Sequence, residues 1–164
     1  MHDGELIEIS MKSAGPLENH LQVLEHNSNG RFVVTCGDGE YVIYTSQALR
    51  NKSFGQALDF RWSSRQTNDY AIRDTSNKIR IYTDFKETAA SSCQGFAPEA
   101  LFGGYLVGVA ASDSITFYQW QTGKEVCSIE VATKQVFWSE EADHVCLACD
   151  DSFFVLQVNQ DLIN

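Results

Sequence analysis

Proline is nearly missing from this chain, at two residues in 164, and no apolar run is long enough to cross a bilayer. The longest continuous apolar stretches, such as Phe153 to Leu156, cover a few residues, and the N-terminus lacks a basic flank followed by an apolar core. A soluble, unexported protein without direct membrane insertion is expected. Positive charge is scarce: 12 Lys and Arg stand against 22 Asp and Glu, a formal net charge of −10. Such a chain repels phosphate backbones and anionic lipid, so no nucleic-acid partner is expected, and a basic peptide or protein would be favoured electrostatically. The five cysteines, Cys36, Cys93, Cys127, Cys146 and Cys149, are an odd number without a framework spacing, which suits reduced thiols in the cytosol. The sequon Asn51-Lys52-Ser53 should then stay unmodified.

Low-complexity tracts and flexible linkers are absent as well, and 43% apolar with 21% charged residues is a globular composition. What the chain does have is an internal repeat. RFVVTCGDGEYVIYT from Arg31, DYAIRDTSNKIRIYT from Asp69, YLVGVAASDSITFYQ from Tyr105 and DHVCLACDDSFFVLQ from Asp143 share one pattern, at steps of 38, 36 and 38 residues. Each is an apolar run, a short turn rich in Gly, Asp, Ser or Asn, and a second apolar run with aromatic and β-branched residues, which is a β-hairpin signature. Weaker strand candidates flank every hairpin. Gln22 to Glu25, Ala57 to Trp62, Ala100 to Phe102 and Gln135 to Trp138 precede them; Ala48 to Phe54, Phe85 to Ala89 and Glu125 to Val131 follow.

Several inner strands, including Phe32 to Val34, Val145 to Leu147 and Phe153 to Leu156, do not alternate apolar with polar, so both faces of their sheets call for cover. The connections are too short for helical crossovers. Small antiparallel sheets stacked face to face satisfy both conditions. The fold class expected is all-β, a partial WD-type β-propeller of about four stacked four-stranded antiparallel blades. The blades fall near 20–55, 56–92, 98–132 and 133–164 of a single domain covering 1–164. Residues 1–19, with the partly alternating Glu5 to Met11, read as a strand of a preceding blade or an N-terminal extension. The Trp-Asp pair that typically ends the third strand of a WD repeat is represented by Tyr44-Thr45, Tyr82-Thr83, Tyr118-Gln119 and Leu156-Gln157, so the aromatic half survives three times and the aspartate never.

Within this pattern the sequence resembles the coatomer beta-prime family, in the second of that family's two WD-type propellers. The resemblance is carried by His26 to Val34, Cys36 to Thr45, Ala48 to Gly55, Asp84 to Glu87, Gly103 to Val109 and Val136 to Ser139, and it runs from about Leu21 to Leu156. The first propeller, the rest of the second ring and the family's helical solenoid lie outside it. The resemblance implies a COPI coat component that assembles on Golgi membranes through a small GTPase and returns dilysine-tagged cargo to the endoplasmic reticulum. Expected partners are other coatomer subunits, with cargo tails or ubiquitin as further candidates. The family's dilysine pocket is associated with its first propeller, so no cargo-binding residue is carried onto this chain.

Chemical motifs are weak throughout. Cys146-x-x-Cys149 with His144 nearby lacks a second ligand pair, and positions three apart on a strand face opposite ways, so Cys146 reads as a buried small thiol and Cys149 as a turn residue. Gly37-x-Gly39 lacks the third glycine and helix of a phosphate loop and reads as a hairpin turn. His20, His26 and His144, with Ser10, Ser28 and Ser152, form no recognisable nucleophile and base grouping. Glu140-Glu141 and Asp150-Asp151 read as solvated turns, with an acidic rim for lysine-rich partners as the alternative. Trp62, Trp120 and Trp138 with Tyr44, Tyr82 and Tyr118 recur near strand ends, as inter-blade packing requires. Arg50, Asn51 and Lys52 read as an exposed edge protected by charge. No catalytic, cofactor or metal residues are assigned, and the expected role is non-enzymatic: a coat scaffold or, outside vesicle traffic, a generic WD-type adaptor. A propeller enzyme would need titratable groups converging on a central channel. An arc of four blades also leaves an apolar face at each end. Several hundred Å² of it left wet would forfeit on the order of 10 kcal/mol, so self-association through the end faces, or continuation into a longer polypeptide, is expected.

Overall fold

Asp38 and Gly39 both adopt positive φ, 53° and 82°, which makes the first hairpin loop a two-residue turn whose twist matches its strands. The second hairpin is closed differently. Asp74 Oδ1 accepts from the backbone N–H groups of Ser76 (2.8 Å) and Lys78 (2.9 Å), while Asn77 takes the left-handed conformation at φ 58°. These local devices set the chain in a computed structural model that describes residues 4, 6, 9–11, 13, 15, 16, 20–93 and 95–163. The stretch Glu5 to Met11 lies in part outside the described residues.

The strands form four antiparallel sheets in chain order. The first contains β1 (Val23–His26), β2 (Phe32–Gly37), β3 (Glu40–Thr45) and β4 (Asn51–Gln56), each paired with the next. The second contains β5 (Asp59–Trp62), β6 (Tyr70–Arg73), β7 (Ile79–Thr83) and β8 (Lys86–Ser91). The third contains β9 (Ala100–Phe102), β10 (Val107–Ala110), β11 (Ile115–Tyr118) and β12 (Glu125–Ile129). The fourth, β13 (Gln135–Trp138), β14 (His144–Ala148) and β15 (Phe153–Gln157), has three strands, followed by a 3₁₀ turn at Gln160–Leu162. The expected all-β propeller architecture is therefore present, with one strand fewer in the last sheet among the described residues.

The repeat extends to irregularities. Register between third and fourth strands slips at Ile43/Tyr44, Ile81/Tyr82 and Phe117/Tyr118, so a β-bulge recurs beside the tyrosine that stands where a WD repeat carries tryptophan. The turn after it also recurs: Leu49 N–H donates to Thr45 O and Gly123 N–H to Gln119 O, with Leu49 and Gly123 both at positive φ.

The core consists of three apolar layers, one between each pair of consecutive sheets. Val34, Cys36, Tyr41 and Ile43 of the first sheet meet Phe60, Trp62, Tyr70 and Ile72 of the second. Ala71, Ile79 and Ile81 meet Leu101, Val107, Val109 and Tyr118. Ile115 and Phe117 meet Val145 and Leu147, with Val136, Trp138 and Leu156 at the margin. Sheets two and three are covered on both faces, which is why their strands carry near-continuous apolar runs.

Candidate functional site

Each sheet has a forward face, turned toward the next sheet in the chain, and a rear face. In the third strands the forward positions are Tyr41 and Ile43, Ile79 and Ile81, Ile115 and Phe117, and Phe153 and Val155, recurring at the repeat spacing. The first three pairs are 3% exposed or less, whereas Phe153 and Val155 are 69% and 58% exposed. The sequence builds the fourth forward face as it builds the others, and among the described residues no sheet lies on it. Its cross-strand row Phe137, Cys146 and Val155 is apolar throughout. At the other end of the stack the rear face of the first sheet carries the row Leu24, Thr35, Val42 and Phe54, with Leu24 and Phe54 66% and 73% exposed. Among the described residues these two faces present exposed apolar side chains, the kind of surface used in recognition.

Two polar sites lie between sheets. On β5, Asp59 and Arg61 are two residues apart and so share a face, and together they grip one residue of the third sheet. Asp59 Oδ2 accepts from Leu101 N–H at 3.0 Å and Arg61 Nε donates to Leu101 O at 3.1 Å. Asp59 Oδ1 also accepts from Phe60 N–H at 2.8 Å, and the carboxylate lies 3.5 Å from the Arg61 guanidinium, which explains how an aspartate tolerates 9% exposure. Beside this clamp, Glu25, His26, Arg61, Trp62, Phe102 and Val136 line a groove of about 350 Å³. Trp62 Nε1 donates across it to Glu25 O at 3.2 Å.

The second site is a groove of about 390 Å³ between β4 and the second sheet, lined by Tyr41, Ser53, Asp74, Arg80, Tyr82 and Glu87 among others. Tyr70 stacks on Tyr82 at 4.6 Å and on Phe60 at 4.8 Å, and its hydroxyl lies 3.5 Å from that of Tyr41. Burial pushes the phenols up, Tyr82 to about 12, with Tyr41 and Glu87 adding to the effect. Arg80 bridges Asp74 (2.8 Å) and Glu87 (3.0 Å). Burial works against the Asp74 carboxylate, but hydrogen bonds from Lys78 N–H, Arg80 and Ser76 N–H outweigh it and hold the carboxyl below its ordinary range.

The motifs singled out in the sequence separate in space. His20 precedes the first sheet, donating its N–H to Asp38 Oδ2 at 2.7 Å, His26 ends β1, and His144 opens β14, with Nδ1 3.0 Å from Asp143. Ser10 is exposed, Ser28 lies between β1 and β2, and Ser152 accepts from Cys149 N–H in the β14–β15 turn. Gly37 and Gly39 flank the first hairpin turn. Glu140-Glu141 and Asp150-Asp151 sit in turns at opposite ends of β14. Among the described residues no three His, Cys, Asp or Glu side chains gather in a way that would hold a metal ion.

Cys146 is half-exposed rather than buried, because its forward face is open; Cys149 is in the expected turn. Trp62 and Trp120 are 5% and 1% exposed, and Trp120 Nε1 donates to Gly104 O at 3.0 Å. Trp138 packs with the third sheet too, but its buried Nε1 has no partner among the described residues. Tyr82 and Tyr118 pack between sheets as expected, whereas Tyr44, half-buried, pairs with the buried Val33 on the rear face of the first sheet. Arg50, Asn51 and Lys52 do lead into the exposed edge strand β4, with Lys52 Nζ 4.8 Å from the Phe85 ring. The Asp59 and Arg61 clamp was missed in the sequence, although their spacing of two on a strand was its available signal.

The stacked sheets and their repeat have known counterparts. The family model described as COPA/B second beta-propeller matches residues 1–163. The chain belongs to the COPA/B second β-propeller family. Coatomer subunit beta' of Drosophila melanogaster is 48% identical over 157 residues, 96% of this chain. The probable coatomer subunit beta' of Schizosaccharomyces pombe is 44% identical over 160 residues, 98% of the chain. The chain spans 17% of the Drosophila relative's length and 20% of the S. pombe one. Among solved structures, Kluyveromyces lactis Hsv2 superposes with a TM-score of 0.72 at 12% identity, covering 86% of this chain and 50% of that one, a likeness of fold. This COPA/B second-propeller segment thus aligns with half of a longer chain of the same architecture. Among the described residues no helix is long and apolar enough to cross a membrane.

Proposed function

We propose that this chain is a non-catalytic scaffold segment of the COPI vesicle coat, acting in Golgi-to-ER retrograde and intra-Golgi protein transport through contacts with other coatomer subunits. The observation that carries this reading is the 48% identity to a coatomer beta' subunit over 96% of the chain. The polar clusters support a structural role: Asp59, Arg61, Asp74 and Arg80 are spent on backbone groups and on one another. On this reading residues 20–55, 56–92, 98–132 and 133–164 are four consecutive blades of one unit, preceded by residues 1–19. The protein works in the cytoplasm, peripheral on the cytosolic face of Golgi membranes and COPI vesicles. Cargo tails and ubiquitin are secondary candidate partners.

Affinity isolation of the tagged chain from cells, followed by mass spectrometry, tests the proposal. Coatomer subunits are expected to be enriched at least tenfold over an untagged control. Enrichment of an unrelated partner set with no coatomer subunit would assign the chain to the generic WD-type adaptors instead.

A further inference from the structure

We propose that one end of the stacked sheets, carrying six exposed cations, docks an acidic segment of another polypeptide. The proposal goes beyond the coat reading and stands on the placement of charge, so the two hold or fail separately.

Strand direction sorts the loops into two ends. The hairpin turns and the connections between sheets lie at one end, where Asp38, Glu99, Asp113, Glu130, Asp150 and Asp151 are exposed. Loops joining first to second strands, and third to fourth, lie at the other. Arg31, Arg50, Lys52, Arg65, Lys86 and Lys124 stand in those loops of the first three sheets or at the strand residues next to them, all exposed. In a chain of net charge −10, half of the 12 Lys and Arg residues therefore gather at one end. The ion pairs among the described residues engage Arg61, Arg80, Lys134 and His144, and none of these six. Acids near them are partly committed: Asp69 is buried and accepts from Asp84 N–H at 3.1 Å, and Glu87 is held by Arg80 at 3.0 Å. Asp84 and Glu125 are left as the exposed carboxylates there that no cation holds, among the described residues.

Three of the six recur at one repeat position. Thr45 N–H donates to Arg50 O and Gln119 N–H to Lys124 O, both at 2.9 Å, and Thr83 pairs with Lys86. Each of the first three sheets thus opens its fourth strand with a cation. Charge at an edge strand also deters unwanted pairing, but either sign serves that purpose. With 22 acids against 12 bases in the chain, cations at all three places, with Arg31 and Arg65 in the neighbouring loops, make a surface of one sign. Arg31 O accepts from Ser46 N–H, which puts Arg31 across β3 from Arg50, about 10 Å away at two strand spacings. Stacked sheets also lie about 10 Å apart, so an extended chain rising about 3.3 Å per residue meets successive cations with a carboxylate on roughly every third residue. Two of the cations rest on aromatic rings, Arg65 4.7 Å from the Tyr105 centroid and Lys52 Nζ 4.8 Å from that of Phe85, which limits the side-chain freedom lost on docking.

An anionic membrane is the competing acidic surface, and two observations count against it. A flat bilayer would also meet Glu140, Glu141 and Asp143, exposed at the same end of the fourth sheet, whereas a polypeptide segment lies over the first three sheets alone. Among the described residues these loops also offer no exposed large apolar side chain to enter lipid.

Fluorescence anisotropy of a labelled oligoglutamate peptide, titrated with the full chain, tests the proposal. The peptide should bind at about 50 mM salt and lose at least tenfold in affinity at about 300 mM, where exposed charges are screened. Arg50→Glu, Lys86→Glu and Lys124→Glu combined should weaken binding at least tenfold with the circular dichroism spectrum unchanged, whereas Lys78→Glu with Lys134→Glu, at the opposite end, should change it less than about twofold. Carbodiimide coupling in the unmodified chain needs no variant: mass spectrometry should find the peptide joined to Lys52, Lys86 and Lys124 in preference to Lys78 and Lys134. Absence of binding at low salt, equal losses in the two sets of variants, or coupling spread evenly over these lysines overturns the proposal. So does tighter binding, sensitive to the same three substitutions, to vesicles rich in phosphatidylserine, which would make a membrane the partner.

Discussion

Ile43, Ile81, Phe117 and Val155 hold the same position in successive repeats, so truncating each to alanine asks one question in four places. Ile43, Ile81 and Phe117 are 0%, 2% and 2% exposed. Removing such side chains loses their transfer free energy and leaves cavities between sheets: about 2–5 kcal/mol for each isoleucine and about 3–5 kcal/mol for the phenylalanine. Val155, at 58% exposure, is already largely in water, and its truncation should cost the single chain about 0.5 kcal/mol or less. Urea denaturation followed by far-UV circular dichroism and by the fluorescence of Trp62, Trp120 and Trp138 measures all four. A stacked array contacts only neighbouring sheets, so losses at Ile43 need not move all three indoles together; the dichroism signal reports the sum. Equal costs at all four positions, or a cost below about 1 kcal/mol at Ile43, would refute the stacking of forward on rear faces.

Asp59→Ala strips the partner from two buried N–H groups and leaves Arg61 without its carboxylate, an expected loss of about 2–4 kcal/mol in urea denaturation, against roughly half that for Asp59→Asn, which keeps an acceptor. The depressed Asp74 carboxyl contributes stability that is fully present above the unperturbed aspartate value of about 4 and is lost as pH falls through its lower folded-state value. Asp74→Asn should therefore cost about 1.5–3 kcal/mol at pH 7 and flatten the acid limb of a stability profile below about pH 4. Gly104→Ala should lower the melting temperature by several degrees, about 2–4 °C per kcal/mol, and alter Trp138 emission, since a Cβ there would strike the indole. A disulfide-exchange reagent should modify the exposed Cys127 quickly, while Cys36 and Cys93 react at the rate of unfolding, Cys36 being buried with its thiol pushed up to about 11.

The hairpins were the most legible part of the sequence because turn chemistry and strand period both act within about fifteen residues. All four inner pairs fall where the repeat places them, and Ala100–Phe102 and Gln135–Trp138 match their expected bounds to the residue. The outer strands were less sharp. The strand expected over Ala48 to Phe54 is β4 at Asn51–Gln56, since an exposed, polar strand carries little apolar pattern and its start is set by the left-handed Leu49 and the bulge at Tyr44. The propeller assignment followed from unbroken apolar strands joined by loops too short for helices. Contacts spanning about forty residues, such as Asp59 to Leu101 and Asn27 to Thr67, left no local signal beyond residue spacing.

By itself the sequence determined the strands, their turns, their antiparallel pairing and the apolar character of both faces of each sheet, because these depend on backbone preference and on side chains one or two residues apart. Tertiary structure alone decided which faces are covered. Val34 and Cys146 stand at equivalent positions, yet one is sealed under the second sheet and the other is half in water. Burial is set by what lies about 10 Å above a sheet, and that neighbour comes from another part of the chain or from another chain.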